Sequence, residues 1–256
     1  MRVLSLSSQV VWGPVGNSAA VPALQAKGHE VLALPTITLS NHPGHGAPKG
    51  LRTPPEDMAQ MLAALEALGA LHKLDAVLTG YFAAPEQVEE AAKLIARVRP
   101  SFVLVDPVIG DHGRLYVPEA VAAAIVRHLL PLASCLTPNG FELGWLSGHE
   151  VHDEASAIAA ARALGIGEVL ATSIPAPGGK LATLLIKKDA AHCIATPKLA
   201  GVPHGTGDFL SGLYLAARLA MPPQQALAAA MQTLERAIAL SAGTPVLDVA
   251  GALHPA

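Results

Sequence analysis

The stretch PHGTGDFLSGLY at residues 203–214 places two glycines and a threonine directly before a helical pattern. Gly205 and Gly207 allow backbone N–H groups to turn toward one point, which the positive end of the following helix also faces. With Thr206 they predict a cradle for a phosphate, or for charge that develops during phosphoryl transfer. Asp208 would lie beside that cradle, where a carboxylate can take the proton of an attacking hydroxyl. A plain turn with Asp208 as a helix cap is the alternative.

A second pattern, TPNGFE at 137–142, follows an apolar run and precedes a helical stretch. Asn139 and Glu142 are three residues apart, so in a helix that begins here both side chains reach the same side. Their oxygen atoms suit Mg²⁺ or its water shell. The competing interpretation is a capping box, in which Asn139 caps the helix and Glu142 reaches back to it.

A third pattern, VDPVIGD at 105–111, puts Asp106 at the end of a buried-looking strand and Asp111 in the following turn. Ligands of α/β proteins bind at the carboxyl ends of parallel strands, so this position favours a binding role. Pro107 and Gly110 are equally typical of a plain turn, and that alternative stays open.

Apolar runs that end in turn residues alternate with helical stretches along most of the chain. The runs lie at 3–7, 76–80, 102–107 and 168–173. Among the helices, Thr53 and Glu56 have the capping-box spacing ahead of an apolar run. These repeated units predict an α/β fold with three layers, α/β/α, around a mostly parallel sheet. No long linker divides the sequence, so we expect one domain over 1–256.

Two segments depart from this alternation. Residues 36–50 carry an apolar strand at 36–40 and then a loop rich in Gly and His, as an edge strand that leads to a lid would. His42 and His45 in that loop form an H-x-x-H pair that falls short of a zinc site, and a lid role is the favoured one. The pair of strand-like runs at 181–196 predicts an antiparallel hairpin added to the sheet.

Composition excludes several functional classes. Hydrophobic residues make up 51% and charged residues 14% of the 256 residues, with a net charge of −3 and no cluster of Lys and Arg. Nucleic acid is therefore not an expected partner. Breakers interrupt the uncharged stretch at 3–26, so no membrane span is expected there. Cys135 and Cys193 lack a metal or disulfide spacing and are interpreted as core residues of a reduced, cytoplasmic protein.

The usual nucleotide motifs are missing from the sequence. It contains no G-x-x-x-x-G-K-[ST] pattern, and no G-x-G-x-x-G follows the first strand. The first absence excludes an ordinary P-loop, and the second argues against a dinucleotide dehydrogenase.

The three patterns, in this order and spacing, resemble the ribokinase-like superfamily, whose members combine a G-[TA]-G-D anion hole with an N-x-x-E motif near Mg²⁺. The rest of the chain narrows the resemblance to the pyridoxal kinase family. SSQVVWGPVGNSAA at 7–20, LSNHPGHG at 39–46 and LTGY at 78–81 are similar to that family's motifs, and DPVIGD, YVPE and TPNGFE follow in family order. The resemblance covers nearly the whole chain.

This resemblance implies an ATP-dependent kinase that phosphorylates the 5′-hydroxymethyl group of pyridoxal, with pyridoxamine and pyridoxine as open alternatives. It implies that Asp208 is the base and that Gly205, Thr206 and Gly207 form the anion hole. On the substrate side it implies that Ser8 hydrogen-bonds the pyridine ring, that Tyr81 packs against its face, and that His42 contributes from the lid.

The resemblance also implies a site for ATP with Mg²⁺, and it leaves a monovalent cation such as K⁺ open. The residues implied around the ATP phosphates are Asp106, Asp111, Thr137, Asn139, Glu142, Thr172, Ser173 and Thr206. Three of these, Asp106, Asn139 and Glu142, are implied as metal ligands. A homodimer is expected from the family and from the apolar strand at 36–40.

The sequence departs from the family mainly around the lid. Pro43 replaces a Thr, His45 a Tyr, Gln9 a His, and Trp12 a Tyr or basic residue, so we expect a rebuilt roof over the substrate. Hydroxymethylpyrimidine kinase, or an enzyme with dual specificity, is the competing interpretation, and hydroxymethylpyrimidine kinases commonly have Cys at the position of Asp208. A vitamer-binding protein without turnover is the alternative from another class.

Overall fold

A computed structural model describes residues 1–254, which form a nine-stranded sheet and a two-stranded ribbon. The strands are β1 (Arg2–Trp12), β2 (Glu30–Asn41), β3 (Gly50–Arg52), β4 (Ala76–Thr79), β5 (Phe102–Val105), β6 (Gly110–Asp111), β7 (Arg114–Leu115), β8 (Cys135–Leu136), β9 (Glu168–Ala176), β10 (Lys180–Ile186) and β11 (Ala191–Pro197). The sheet order is β11-β10-β9-β8-β5-β4-β1-β2-β3, and β6 pairs with β7. The six strands from β9 to β2 in that order are parallel, and the outer strands β3, β10 and β11 are antiparallel.

Helices cover both faces of the sheet. They are α1 (Asn17–Gln25), α2 (Pro55–Ala67), α3 (Pro85–Val98), α4 (Glu119–Ala124), α5 (Gly140–Ser147), α6 (Glu154–Ala163), α7 (Thr206–Arg218), α8 (Pro223–Leu240) and α9 (Val249–Leu253). A π-helical turn, Ile125–Leu129, continues α4, and short 3₁₀ turns lie at Pro43–His45 and Leu130–Leu132. No helix within residues 1–254 has the length and apolar character needed to cross a membrane.

Alternation along the central strands builds two cores. Val77 and Val105 pack with residues of α2 to α6 on one face. Leu78 and Leu104 pack with α1, α7, α8 and α9 on the other. Because both faces of these strands are buried, their sequences read as unbroken apolar runs rather than as alternating ones. The predicted three-layer α/β/α fold with a mostly parallel sheet is confirmed.

The hairpin predicted at 181–196 is confirmed as β10 and β11. The edge strand predicted at 36–40 is wrong, because Gly50–Arg52 pairs with Ile37, Thr38 and Leu39 and forms the edge instead. A strand of three residues is too short to show a hydrophobic period, so no sequence pattern marks it.

Two local predictions are also wrong. The helix after Thr53 begins at Pro55, and Pro54 at its N-cap offers no side-chain acceptor, so Thr53 and Glu56 form no capping box. The Thr53 hydroxyl donates instead to the carbonyl of Pro35 at 2.6 Å. Of the two cysteines, Cys135 is buried as predicted, whereas Cys193 is exposed on β11.

Candidate active site

The start of α7 forms the centre of the candidate site. Gly205 is its N-cap with φ +99°, and a Cβ there would collide with the carbonyl of Pro14. Both the backbone conformation and the lack of space therefore require glycine at this position. The first hydrogen bond of the helix runs from Phe209 N–H to the Gly205 carbonyl at 2.9 Å. The N–H groups of Thr206 and Gly207 therefore precede the helical ladder, which leaves them available as donors to an anion.

Asp208 lies in this first turn, beside the ends of β1, β4 and β5. Burial raises the pKa of its carboxyl group to about 6, and hydrogen bonds from the backbone N–H groups of Gly16 and Asp208 itself oppose that rise. A carboxylate with this pKa is mostly ionised at neutral pH and remains basic enough to accept a proton.

A second carboxylate, Asp106, projects from the end of β5 toward the same helix. Its Oδ2 accepts a hydrogen bond from Ser211 Oγ at 2.8 Å, and Ser211 Oγ lies 3.0 Å from Thr137 Oγ1. Burial, and then the negative charges of Asp208 and Glu142, raise the pKa of Asp106 well above its usual range. These hydrogen bonds join β5, the segment after β8, and α7 into one polar cluster.

The side chains of Asp106, Asp208, Ser7 and Ser211 border a cavity of about 10 Å³. A cavity of that size holds about one water molecule. A larger cavity, about 590 Å³, lies between α1 and α9, and none of the site residues predicted above lines it. We therefore place the site by its chemistry rather than by cavity size.

Asn139 and Glu142 form the capping box that was the competing interpretation. Asn139 Oδ1 accepts from the Glu142 N–H at 2.9 Å, and Glu142 Oε2 accepts from the Asn139 N–H at 3.0 Å. Glu142 Oε1 also accepts from the N–H of Ile109 at 2.8 Å, and Asn139 Nδ2 donates to the carbonyl of Gly110 at 2.8 Å. The pair thus fastens the turn after Asp106 to the start of α5.

This turn is under strain. Val108 has φ +41°, a region that a β-branched residue rarely adopts. The strained conformation directs the following N–H groups at Glu142, whose pKa burial raises to about 7 while those N–H groups oppose the rise. A buried carboxyl group and a strained turn hold each other in place next to Asp106.

The remaining residues predicted for ATP lie along the same edge. Asp111 is in the β6–β7 ribbon, where its Oδ1 accepts from the His112 N–H at 2.7 Å. Thr172, in β9 beyond the residues that pair with β8, forms a β-bridge with Asn139, and the exposed Ser173 has φ +57°. The structure therefore brings Asp111, Thr172 and Ser173 to the carboxyl end of the sheet, around the start of α5.

The residues predicted for the substrate ring lie at the ends of β1 and β4. Ser8 is buried, and a Cβ on Gly16 would collide with it, so the 13–16 turn rests directly on Ser8. Tyr81 is held by its backbone, since its N–H donates to Ser7 Oγ at 3.2 Å and its carbonyl accepts from Thr36 Oγ1 at 2.6 Å. Both predicted residues thus contact neighbours of Asp208, since Gly16 and Ser7 border the same small cavity as Asp208.

The loop 42–46, which we call the lid loop, lies against this part of the protein through its two histidines. The rings of His42 and His204 are 4.1 Å apart between centroids, and those of His45 and Trp12 are 4.5 Å apart. His42 Nδ1 accepts from the Gly44 N–H at 3.1 Å. The lid loop therefore contacts both the end of β1 and the residue that precedes Gly205.

A cation could be held here only with help from other ligands. Within residues 1–254, no three His, Cys, Asp or Glu side chains are arranged to hold a metal ion. Asn139 and Glu142 use their polar atoms within the capping box, which fits contact with a hydrated cation better than direct ligation. Mg²⁺ suits such a place, because it keeps several waters and commonly takes one or two carboxylates together with substrate phosphates.

Sequence reasoning missed four residues at this site, namely Ser7, Trp12 as a lid contact, His204 and Ser211. Ser211 carried a readable signal, since it stands three residues after Asp208 and so on the same face of α7. Ser7 and His204 stand directly beside predicted residues in the sequence, but their contacts, like that of Trp12, join distant segments, and no local pattern shows those contacts.

A three-layer sandwich in which an anion-binding helix start meets acidic strand ends defines a class of protein, the ribokinase-like small-molecule kinases. A family model described as phosphomethylpyrimidine kinase matches residues 19–253. The pyridoxine/pyridoxal/pyridoxamine kinase of Bordetella bronchiseptica is 39% identical over 246 residues, which are 91% of this chain and 87% of that protein. The pyridoxal kinase PdxY of Deinococcus radiodurans is 37% identical over 83% of this chain and 77% of its own length.

Solved structures agree with these relatives. Pyridoxal kinase from Leishmania donovani in complex with ADP and pyridoxine superposes with a TM-score of 0.93 at 33% identity, over 100% of this chain and 96% of that one. Pyridoxal kinase from Entamoeba histolytica superposes with a TM-score of 0.93 at 28% identity, over 98% and 94%. The chain belongs to the phosphomethylpyrimidine kinase family and, within it, to the pyridoxal kinases.

Proposed function

We propose that this protein transfers the γ-phosphoryl group of ATP to the 5′-hydroxymethyl group of pyridoxal, and of pyridoxamine and pyridoxine, in vitamin B6 salvage. The observation that carries the proposal is the position of Asp208 in the first turn of α7, next to the free N–H groups of Thr206 and Gly207. A base and an anion cradle at one point are what hydroxyl phosphorylation requires. The names of the relatives and the ligands of the superposed structure support the choice of substrate.

In the proposed reaction Asp208 accepts the proton of the substrate hydroxyl as its oxygen attacks the γ-phosphorus. The bond from that phosphorus to the β-phosphate oxygen breaks, so the products are the 5′-phosphate ester and ADP, and Asp208 later releases the proton to solvent. The negative charge that develops on the transferring phosphoryl group is stabilised by the backbone N–H groups of Thr206 and Gly207. Those donors are fixed before the reaction and lose little energy in reorganisation.

For the vitamer ring, we propose a hydrogen bond from Ser8, packing against Tyr81, and a contact from His42 in the lid loop. His42 accepts the Gly44 N–H at Nδ1, so its neutral form carries hydrogen at Nε2 and offers a donor there. A flat polar ring between one packing surface and a few in-plane partners is an ordinary mode of small-molecule binding. We also propose that residues 36–50 act as the lid of a single kinase domain.

For ATP, we propose that its phosphates and an accompanying Mg²⁺ lie along the edge that carries Asp106 and Asp111. The implied phosphate contacts are Thr137, Thr172, Ser173 and Thr206. When bound, Mg²⁺ would supply charge neutralisation for the phosphates, with Asp106 nearest and Asn139 and Glu142 reached through water. Whether a monovalent cation such as K⁺ is also required is tested by measuring the rate in K⁺ and in a bulky organic cation at equal ionic strength.

The test of this function is a substrate panel with Mg-ATP. Pyridoxal, pyridoxamine, pyridoxine and hydroxymethylpyrimidine are each incubated with the protein, and the phosphate esters are measured. We expect turnover of the B6 vitamers, and formation of pyridoxal 5′-phosphate is followed by its absorbance. Turnover of hydroxymethylpyrimidine alone would contradict the proposal and would favour a hydroxymethylpyrimidine kinase. Binding of the B6 vitamers without turnover of any substrate would favour a vitamer-binding protein.

We further propose a homodimer in a reducing, cytoplasmic setting. Apolar side chains are exposed near the β3 edge, with Val11 at 81%, Leu51 at 79% and Trp12 at 49% exposure. Such a patch favours contact with a second copy. Both cysteines are free thiols. Light scattering at micromolar concentration should give twice the mass of one 26.2 kDa chain, and a single-chain mass would refute the dimer.

A further inference from the structure

The lid loop is fastened at two points by aromatic contacts. At one point the ring of His42 lies over that of His204, with centroids 4.1 Å apart and planes tilted by 32°. At the other, His45 packs on Trp12 at 4.5 Å with a tilt of 42°. His204 directly precedes Gly205, so the first contact joins the lid loop to the catalytic segment itself.

Two glycines make these close approaches feasible. A Cβ built on Gly44 would lie 2.5 Å from His204 Nε2, and one on Gly13 would lie 3.0 Å from His45 Nε2. Any larger residue at Gly44 would push the two segments apart. The ring of His204 packs against the backbone of Gly44, and the ring of His45 packs against the backbone of Gly13. Both are close van der Waals contacts.

The charges of the cluster favour stacking near neutral pH. Burial first, and then the neighbouring His204 and His45, lower the pKa of His42 to about 4. The pKa of His204 is also lowered, by burial and by His45. Neutral imidazoles stack without the repulsion that two cations would suffer. Among the described residues, these histidines are the titratable groups that act on one another here.

We propose that His204 is a positioning residue for phosphoryl transfer: its stack on His42 docks the closed lid loop onto the segment that carries Gly205 and Asp208. Closure over the substrate and placement of the catalytic turn are then one event, because one residue takes part in both. The role of this contact in turnover rests on the proposed function, whereas the contact itself does not.

The kinetic test compares His204→Ala with His204→Phe. Alanine removes the stack, and we expect KM for pyridoxal to rise several-fold while KM for ATP changes little. Phenylalanine keeps a flat ring that can stack but cannot titrate or coordinate, so we expect it to restore most of the loss. His192→Ala is the matched control and should behave as wild type, because His192 is exposed on β11, at the opposite edge of the sheet from β2 and β3.

The structural test needs no turnover. In a Trp145→Phe background, Trp12 is the remaining tryptophan and reports on its contact with His45. We expect His204→Ala to release the lid loop, which would red-shift the Trp12 emission without ligand, and His204→Phe to leave it unchanged. If the Trp145→Phe background does not fold, tryptic cleavage after the exposed Lys49 gives the same information, since a released loop is cut faster.

Each outcome decides the question. Unchanged emission or cleavage in His204→Ala overturns the docking contact, whatever the substrate proves to be. Equal impairment of the Ala and Phe variants overturns stacking and assigns a chemical role to the imidazole. A released lid loop in a protein that phosphorylates none of the vitamers upholds the contact and refutes only the proposed function.

Discussion

Ser211 Oγ donates a hydrogen bond to Asp106 Oδ2 at 2.8 Å, and this bond joins α7 to the end of β5. Ser211 is 2% exposed, so this hydrogen bond is shielded from bulk solvent. The position of Asp106 relative to α7, which carries Asp208, therefore depends in part on Ser211.

We expect Ser211→Ala to lower the free energy of unfolding by about 1–3 kcal/mol, the usual effect of removing one hydrogen bond to a buried carboxyl group. Its kcat should fall because α7 loses its tether to β5. Thermal unfolding and steady-state kinetics check both effects. Ser101→Ala is the control, since Ser101 is exposed and its hydroxyl bonds only a backbone carbonyl, at 2.9 Å. A Ser211→Ala protein as stable and active as the control would contradict the tether.

Asp208→Asn should lower kcat by at least about 10²-fold, because the amide cannot accept the substrate proton. Binding of pyridoxal, measured by calorimetry, should change modestly. The exposed Asp189 in the β10–β11 turn provides a control as Asp189→Asn. A normal rate in Asp208→Asn would rule out this residue as the base.

The same residue sets an expected pH dependence. The pKa of Asp208 is raised to about 6, and only the ionised form acts as a base. The rate should therefore be low below pH 6, rise through that value and level off above it. The pH profile of kcat/KM measures this acid limb in the free enzyme. A limb near the ordinary pKa of aspartate would show that burial of Asp208 is not maintained in solution.

Glu142→Gln should destabilise the protein even without nucleotide or Mg²⁺. The amide nitrogen cannot accept the N–H that one carboxylate oxygen now accepts, so we expect a loss of about 1–3 kcal/mol. Denaturant unfolding in the presence of a chelator measures it. The nearby helix-capping Asp153, an exposed residue, gives a matched control as Asp153→Asn, which keeps an acceptor for the Ser156 N–H. If Glu142→Gln were as stable as wild type, Glu142 would have no structural role, and metal binding would be the role that is left for it.

Much of the fold and part of the site could be predicted from local sequence. Val77 and Leu104 belong to short apolar runs whose length and flanking turns identify buried parallel strands. Asn139 and Glu142 were placed correctly as a pair, yet the spacing alone could not decide between a cap and a ligand, because both need the same geometry. The structure decided for the cap through the N–H of Ile109, a residue in another segment.

The remainder depended on tertiary contacts. Gly50–Arg52 became the sheet edge through three pairings with β2 that no pattern marks. His204 was visible in the sequence next to Gly205, but its partner His42 lies in a different loop, and only the fold shows that their rings meet. Residues that act across segments are therefore the part of the site that sequence reasoning most readily misses.

The two glycines of the anion cradle give opposite predictions. Gly205 has φ +99°, and a Cβ there would collide with the Pro14 carbonyl. Gly205→Ala should therefore destabilise the fold by more than about 1 kcal/mol, since an alanine in the left-handed region is strained even without the collision. Activity should fall with stability, because the turn between Pro14 and α7 would have to move.

Gly207 has open space around its Cβ position and lies within the first turn of α7. Gly207→Ala should leave stability unchanged or raise it by up to about 1 kcal/mol, since alanine loses less conformational entropy in a helix. Its kcat should nevertheless fall, because the added methyl group stands where the transferring phosphoryl group must approach the N–H groups. Thermal unfolding and kcat measured on both variants separate the two effects. If Gly207→Ala kept full activity, the phosphoryl group would have to bind elsewhere than at the start of α7.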